Sequence, residues 1–401
     1  MDERERKIDE LLTRGVAEVI GLDHLRSRLL AGERLRVKLG IDPTSPNIHL
    51  GRSVALLKLR DFQELGCQVV FIVGNFTGLI GDTSDKESER PMLDQATVEF
   101  NMGSYFEQAG KVLDMESSER HFNAEWLRDL GYQEIGEQAD AFSLHEFISR
   151  ENIRKRLDAG RRVSLREVLY PLMQGYDSVQ VRADVEVGGT DQRFNILAGR
   201  TLQARYDQEP QDVLTVNLIP GTDGRKMSSS WGNTVNLSDE PNDMLGKLMS
   251  IPDEEIVTYL VHATRVPMAD VTVMESGMKD GSLNPRDAKM RLAKEIVRMY
   301  HGEGAAAAAE EYFVTAFSKR EIPSEIPEWC PTYGANENLE SFIARIGLAK
   351  SKTEARSKIS QGGVSIDGDR AEVGTLVLTK ELHDGKVLKV GKRGFVRIVF
   401  C

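Results

Sequence analysis

Val37, Leu39 and Ile41 alternate with Lys38, Gly40 and Asp42, a period of two that predicts a strand. Pro43 and Pro46 stop it. From His49 onward Leu50, Val54, Leu57 and Leu65 take helical spacing, with no proline before Pro91. The segment reads strand, tight turn, helix N-terminus. Residues 66–74 form a continuous apolar run between glycines, which suits a parallel strand covered on both faces. Ala183 to Val187 alternates again, a helix runs on to about Tyr206, and Val213 to Ile219 is a further strand. Residues 2–36 read as charged helices, and 94–114 and 145–159 as helices. Ser164-Leu165-Arg166-Glu167 matches a capping box, with Pro171 leaving the start of that helix open. Strands and helices alternating through short glycine turns predict an α/β fold with a doubly wound parallel sheet.

From about Asn242 to Phe317 the strand pattern disappears, and Asn284-Pro285 and the alanines at 305–309 mark helices. Residues 319–338, with Pro323, Pro327 and Pro331, read as a linker. Beyond it, Leu339, Phe342, Ile343 and Ile346 give an amphipathic helix, and Ser351-Lys352-Thr353-Glu354 caps a second. Val364, Ile366 and Asp367-Gly368 suggest hairpins.

Chemistry concentrates in the turns. A helix N-terminus with unpaired N–H groups suits a phosphate, and His49 and Gly51 occupy that first turn. Asn75 to Asp82 is a glycine-punctuated turn at the carboxyl end of the 66–74 strand, where open α/β sheets bind ligands, so Thr77 and Asp82 are candidates. Asp82 reads equally as a turn or cap residue. Tyr170, Gln174 and Asp177 share one helix edge, either a site wall or a solvated face. Gly188-Gly189-Thr190-Asp191-Gln192 is a second strand-to-helix turn. Gly224-Arg225-Lys226-Met227-Ser228-Ser229-Ser230 is a polar loop with one lysine and three hydroxyls. Neither a G-x-G-x-x-G nor a G-x-x-x-x-G-K-[ST] loop occurs, which disfavours a dinucleotide enzyme or a phosphate-loop ATPase.

The 401 residues suggest two or three domains. No run of 18 apolar residues occurs, so no membrane span is expected, and the charged start M-D-E-R-E-R-K shows no secretory signal. Cys67, Cys330 and Cys401 fit neither a disulfide framework nor a zinc site, and a cytoplasmic setting is the simplest reading. Net charge is −11, yet residues 335–401 carry +4. A basic tail on an acidic body suggests an appended nucleic-acid module; its helices carry Arg345, Lys350, Lys352, Arg356 and Lys358, a solvated face on the residues alone and an RNA-contacting face by resemblance to an "S-four"-type module.

His49-Leu50-Gly51-Arg52 and Lys226-Met227-Ser228-Ser229-Ser230 resemble the paired "HIGH" and "KMSKS" signatures of class I aminoacyl-tRNA synthetases. With Asp42-Pro43-Thr44, Thr77 to Asp82, Tyr170-(x3)-Gln174-Gly175-Tyr176-Asp177 and the Gly188–Gln192 turn, the chain is similar to bacterial tyrosyl-tRNA synthetases over nearly its whole length. The resemblance implies a Rossmann-like catalytic domain over 1–235, a helical anticodon-side domain over 236–320, a linker over 321–336 and an "S-four"-type RNA-binding module over 337–401. It implies activation of L-tyrosine by ATP with Mg²⁺, transfer to tRNA(Tyr), and a homodimer with tRNA across both subunits.

By the same resemblance, Thr44 and His49 hold the triphosphate, Lys226 binds it from the loop, and Gly40, Asp42, Gly51, Gly189, Asp191, Met227 and Ser228 complete the ATP site. Asp82, Tyr170 and Gln174 hold the substrate's amino group and Asp177 its phenol, with Thr77 and Gln192 beside them. Three positions depart from the family pattern. Lys38 stands where many members carry a tyrosine that shares the phenol contact; it either points into the pocket or pairs with a nearby carboxylate. Arg52 replaces the second histidine of "HIGH", where it can still clamp phosphate. Ser229 replaces the second lysine of "KMSKS". These departures leave open an alternative, a synthetase paralogue serving a non-tRNA acceptor.

Overall fold

The computed structural model describes residues 2–83, 92–315, 326–331, 337–372, 377–391 and 394–400. Most of the expected linker lies outside the described residues. Two compact units emerge, one of Met1–Asp239 with Ser250–Tyr300, the other of Glu240–Met249 with His301–Cys401.

The first unit is built on a six-stranded sheet: β1 (Val16–Ile20), β2 (Arg36–Ile41), β3 (Gln68–Val73), β4 (Glu119–Phe122), β5 (Val185–Gly189) and β6 (Asp212–Val216). Its order is β1-β6-β5-β2-β3-β4, with β1 antiparallel to β6 and all other pairs parallel. The chain goes from β2 outward to β3 and β4, then returns to the other side of β2 for β5 and β6. The strand order therefore reverses between β2 and β5, the point at whose carboxyl ends open α/β sheets bind their ligands. Val69 to Val73 and every residue of β6 are buried, as the apolar runs required.

Two strands escaped the hydrophobic pattern. β1 lies inside the stretch that reads as helical, between helices Glu3–Thr13 and Leu22–Ala31. It is a short edge strand with few buried side chains, so no alternation marks it. β4, Glu-Arg-His-Phe, is a polar opposite edge held by backbone pairing to β3.

The helix Leu50–Glu64 follows β2 and buries Leu50, Val54, Leu56, Leu57 and Leu59. The helix Leu165–Gln180 starts at the expected capping box of Ser164 and Glu167. Pro171 lies within it and cannot donate to the carbonyl of Glu167; Arg150 Nη2 approaches that oxygen at 3.5 Å instead. Glu167 is also gripped by buried Arg156, at 2.5 and 3.0 Å.

In the second unit, helices Pro241–Leu248 and Glu303–Phe313 pack together. Helices Leu339–Arg345 and Lys352–Ser360 cover antiparallel strands Val364–Ile366, Val387–Val390 and Gly394–Ile398 around Phe342, Ile343, Ile359, Leu388 and Val396.

The helix Leu165–Gln180 lies so close to the helix Arg193–Arg205 that a Cβ on Gly175 would stand 2.9 Å from the backbone carbon of Ala198. Gly175→Val is expected to lower stability by about 1–3 kcal/mol through overpacking, read as a lower urea midpoint at unchanged slope. An unchanged midpoint would show that the helices separate freely.

Candidate functional site

Turns after β2, β3, β4 and β5 converge at the carboxyl edge of the sheet. Asp42, just past β2, accepts from Thr77 Oγ1 at 2.7 Å and from Tyr170 Oη at 2.8 Å. Asn123, just past β4, donates from Nδ2 to Thr77 Oγ1 at 2.8 Å and reaches Asp177 Oδ2 at 3.4 Å. Trp126 Nε1 donates to Asp177 Oδ1 at 2.8 Å. Gln192 Nε2 donates to Asp82 at 2.7 Å. Thr77, Asp82, Tyr170, Asp177 and Gln192 therefore stand together, with Asp42 among them rather than among the nucleotide candidates. The edge carrying Tyr170 and Asp177 is buried, so the solvated-face reading falls.

Lys38 is wholly buried and does not present its ammonium to an open pocket. Of the two expected arrangements, carboxylate pairing holds: Nζ lies 3.0 Å from Glu186 Oε1, with 2.8 Å to Ser178 Oγ and 3.0 Å to the Gln174 carbonyl. Lys38 as a direct tyrosine ligand is corrected accordingly. Gln174 likewise turns its amide to Glu186, at 3.2 Å.

At the neighbouring helix start, His49 is the N-cap of Leu50–Glu64, and its Nδ1 is buried without a hydrogen-bond partner. Met227 Sδ sits 3.3 Å from Gly51 N, Ser229 Oγ is 3.3 Å from Ser45 Oγ, and Lys226 Nζ is 3.1 Å from Asp191 Oδ2. The two distant segments thus meet. Asn233 shapes the loop: its Oδ1 accepts from Ser228 N at 2.9 Å and its Nδ2 donates to the Lys226 carbonyl at 3.1 Å. Ser228 Oγ bonds Ser230 Oγ. Gly40 is exposed at the end of β2 with open space where a Cβ would stand, and a Cβ on Gly189 would press on Asp191.

Arg52 is occupied. It donates to Thr44 Oγ1 at 2.9 Å, and to the Asp42 carbonyl and Tyr105 Oη at 3.1 Å each. Instead of reaching out as a clamp, it braces the Asp-Pro-Thr turn, and Thr44 shares that brace.

Among the basic candidates, Arg345 pairs with Glu337 at 2.8 Å and Arg356 with Glu340 at 3.1 Å. Lys350 and Lys352 are exposed. Lys358 is half-buried and donates to the Leu348 carbonyl at 2.9 Å, so it closes its own fold as well as adding charge.

Asn123, Trp126 and Glu186 carry no motif, and the sequence reading missed them. Glu186 had a signal: it is the one charged residue of β5, and it is the register partner of Lys38 on β2. Nothing local marked Asn123 or Trp126, which matter through the turn after the unrecognised strand β4.

Desolvation dominates the electrostatics. It raises the Asp42 carboxyl to about 6 despite the bonds from Thr77 and Tyr170, with nearby Asp82 adding to the rise. It raises Asp177 to about 7, opposed by attraction to Lys38 and by the bonds from Trp126 and Asn123. Desolvation, Arg52 and Lys226 lower His49 to about 3, leaving a neutral ring at pH 7. Unfolded aspartates titrate near about 4, so the native chain holds more protons than the unfolded chain between there and about 7. The contribution of Asp177 to stability is thus largest at the acid end and falls as pH rises through that window. Measured by thermal unfolding of the ligand-free chain, wild type is expected to lose stability relative to Asp177→Asn as pH rises; a constant difference would place Asp177 in solvent.

Comparison with known proteins agrees with this geometry. The profile of the family tRNA synthetases class I (W and Y) matches residues 30–318, and that of the S4 domain matches 337–382. The tyrosine–tRNA ligase of Thermotoga maritima is 45% identical over 390 residues, spanning 97% of this chain and 96% of that protein. That of Carboxydothermus hydrogenoformans is 43% identical over 409 residues, spanning 100% and 99%. A C-terminally truncated mitochondrial tyrosyl-tRNA synthetase from Coccidioides posadasii has a solved structure similar to this one, with TM-score 0.61 and 25% identity over 76% of this chain and 90% of that one. The chain belongs to the tyrosine–tRNA ligase family of class I tRNA synthetases.

Proposed function

We propose that this chain joins L-tyrosine to tRNA(Tyr) in two steps at the carboxyl edge of the sheet. The tyrosine carboxylate attacks the α-phosphorus of ATP, the bond to the β-phosphate oxygen breaks, and pyrophosphate leaves. A hydroxyl of the tRNA's 3′-terminal ribose then attacks the adenylate carbonyl and AMP leaves. The observation that carries this reading is the meeting of the 226–229 loop with the first turn of the Leu50 helix, next to a buried carboxylate cluster.

The first step needs little proton transfer, so positioning and charge neutralisation dominate. Lys226 sits on a loop that reaches Gly51 and Asp191, and its ammonium suits the phosphates of the leaving pyrophosphate. The neutral His49 ring offers them an N–H rather than a charge. Mg²⁺ enters with ATP as its counter-ion. Asp42 and Asp82 repel one another, which a substrate ammonium beside Tyr170 relieves. Asp177, fixed by Trp126 and Asn123, accepts from the phenol hydroxyl. A buried acceptor built for that bond is left unpaired by phenylalanine, the physical basis of selectivity.

The S4 module supplies Arg345, Lys350, Lys352 and Arg356 to the tRNA backbone. Exposed Tyr132, Leu144 and Leu165 offer apolar area to a second copy, and we read the working unit as a homodimer; sedimentation is expected to give twice the chain mass, and a monomer that charges tRNA at full rate would refute this. No described helix is long and apolar enough to cross a membrane, and a cytoplasmic location accords with the substrates.

Tyrosine-dependent ATP–pyrophosphate exchange is expected to fall about 10²–10³-fold in Lys226→Ala and in His49→Ala, as for loss of other groups that stabilise transition-state charge. Exchange that survives both substitutions would remove the site assignment.

A further inference from the structure

Lys38 and Glu186 form a buried charge pair that the reaction itself does not use. Each is the other's neighbour across the parallel β2–β5 ladder, at the point where strand order reverses. The Lys38 ammonium crosses to the helix Leu165–Gln180 and bonds the Gln174 carbonyl at 3.0 Å and Ser178 Oγ at 2.8 Å, three residues before and one after Asp177. Glu186 ties the same stretch from below. Its Oε2 accepts from Ser178 Oγ at 3.0 Å and from Gln211 Nε2 at 2.5 Å, and its Oε1 from Gln174 Nε2 at 3.2 Å. Lys38 and Glu186 are 0% and 2% exposed, too low for a surface ion pair.

We propose that Lys38 and Glu186 are positioning residues for substrate selection, fixing the Asp177 helix turn against the sheet, with Lys38 biasing Asp177 toward the carboxylate that accepts the phenol hydroxyl and Glu186 restraining that bias. The proposal rests on the reading of Asp177 given above. Buried opposite charges contribute little net stability, but losing one partner strands the other. Such a pair suits a specificity device better than a stabilising one.

The groups facing Asp177 are few. Lys38 comes from β2, Glu186 from β5, and Asn123 and Trp126 from the turn after β4; Tyr170 lies on its own helix. His121 lies tilted against Trp126, with ring centroids 5.7 Å apart, and bonds Glu125 rather than Asp177. Attraction to Lys38 favours ionised Asp177, and repulsion by Glu186 opposes it more weakly. The two residues of the pair therefore act on the phenol acceptor with opposite sign.

The opposite signs make the test specific. The pH dependence of kcat/KM for tyrosine, measured by pyrophosphate exchange, reports the free enzyme. Its acid limb is expected to move to lower pH in Glu186→Gln. In the charge-free double variant Lys38→Met/Glu186→Gln it is expected to move to higher pH by about one unit, the usual effect of losing an adjacent opposite charge. In the double variant the tyrosine KM at neutral pH rises about tenfold while kcat changes little, and discrimination against phenylalanine narrows. A purely structural role would lower the melting temperature and leave both limbs at the wild-type pH, which overturns the proposal. Should the double variant fail to fold, the limb of Glu186→Gln decides alone, since glutamine keeps the shape and the Ser178 bond. Asp177→Asn serves as the reference: an unchanged tyrosine KM there would defeat the site reading itself, whatever the pair does.

Discussion

Parallel pairing of β2 with β5 is the constraint on which the rest depends. It is the seam where the chain, having built outward through β3 and β4, returns to build the other way. A sheet wound in both directions cannot close this seam with a crossover helix, so its carboxyl edge stays open. Every turn that carries chemistry empties into that opening. The Asp-Pro-Thr turn leaves β2, Gly188–Gln192 leaves β5, and Thr77 and Asn123 come from the outer strands. The position of the pocket is thus a topological result before it is a chemical one.

Within the pocket, low polarity sets the chemistry. Asp42 and Asp177 are acidic groups in a place that disfavours charge, and each is held there by neutral donors: Thr77 and Tyr170 for the first, Trp126 and Asn123 for the second. Neutral donors orient a carboxyl without cancelling its capacity to accept from a ligand. The cations take another part. Arg52 is spent on its own turn, and Lys226 pairs with Asp191. The Asp42 and Asp177 carboxyls are therefore held by neutral donors, whereas the positive charge of Lys226 sits on a loop.

Much of this was legible in the chain. The β2 alternation, the apolar β3 run, the capping box at Ser164 and the glycine turns placed the sheet core and the main helices. The motif residues found their neighbours, including the contact of Met227 with Gly51 across 176 positions of sequence. What escaped has a common cause. β1 and β4 are edges that pair through backbone alone on one side, so nothing in their side chains announces them. With β4 unseen, Asn123 and Trp126 had no strand end to belong to. For Arg52, residue type shows that a guanidinium can bind phosphate, but not that Thr44, Tyr105 and a carbonyl surround it.

Lys38 shows how far residue type alone can carry an argument. An inward charge in an apolar strand has only two stable outcomes, a ligand or a partner. The alternation put it on the face of Gly40 and Asp42, opposite Val37, Leu39 and Ile41, and β5 offered Glu186 in register. Deciding between the outcomes required the register of a strand nearly 150 positions away in sequence, which no local pattern contains. Once the register is known, the partner follows from geometry. A lysine beside a family-typical phenol position then ceases to be an anomaly. Its charge is answered from the neighbouring strand, and its hydrogen bonds go to the helix that carries Asp177. In the proposed reading, the charge that a direct ligand would bring to the phenol is brought instead to the helix turn of Asp177.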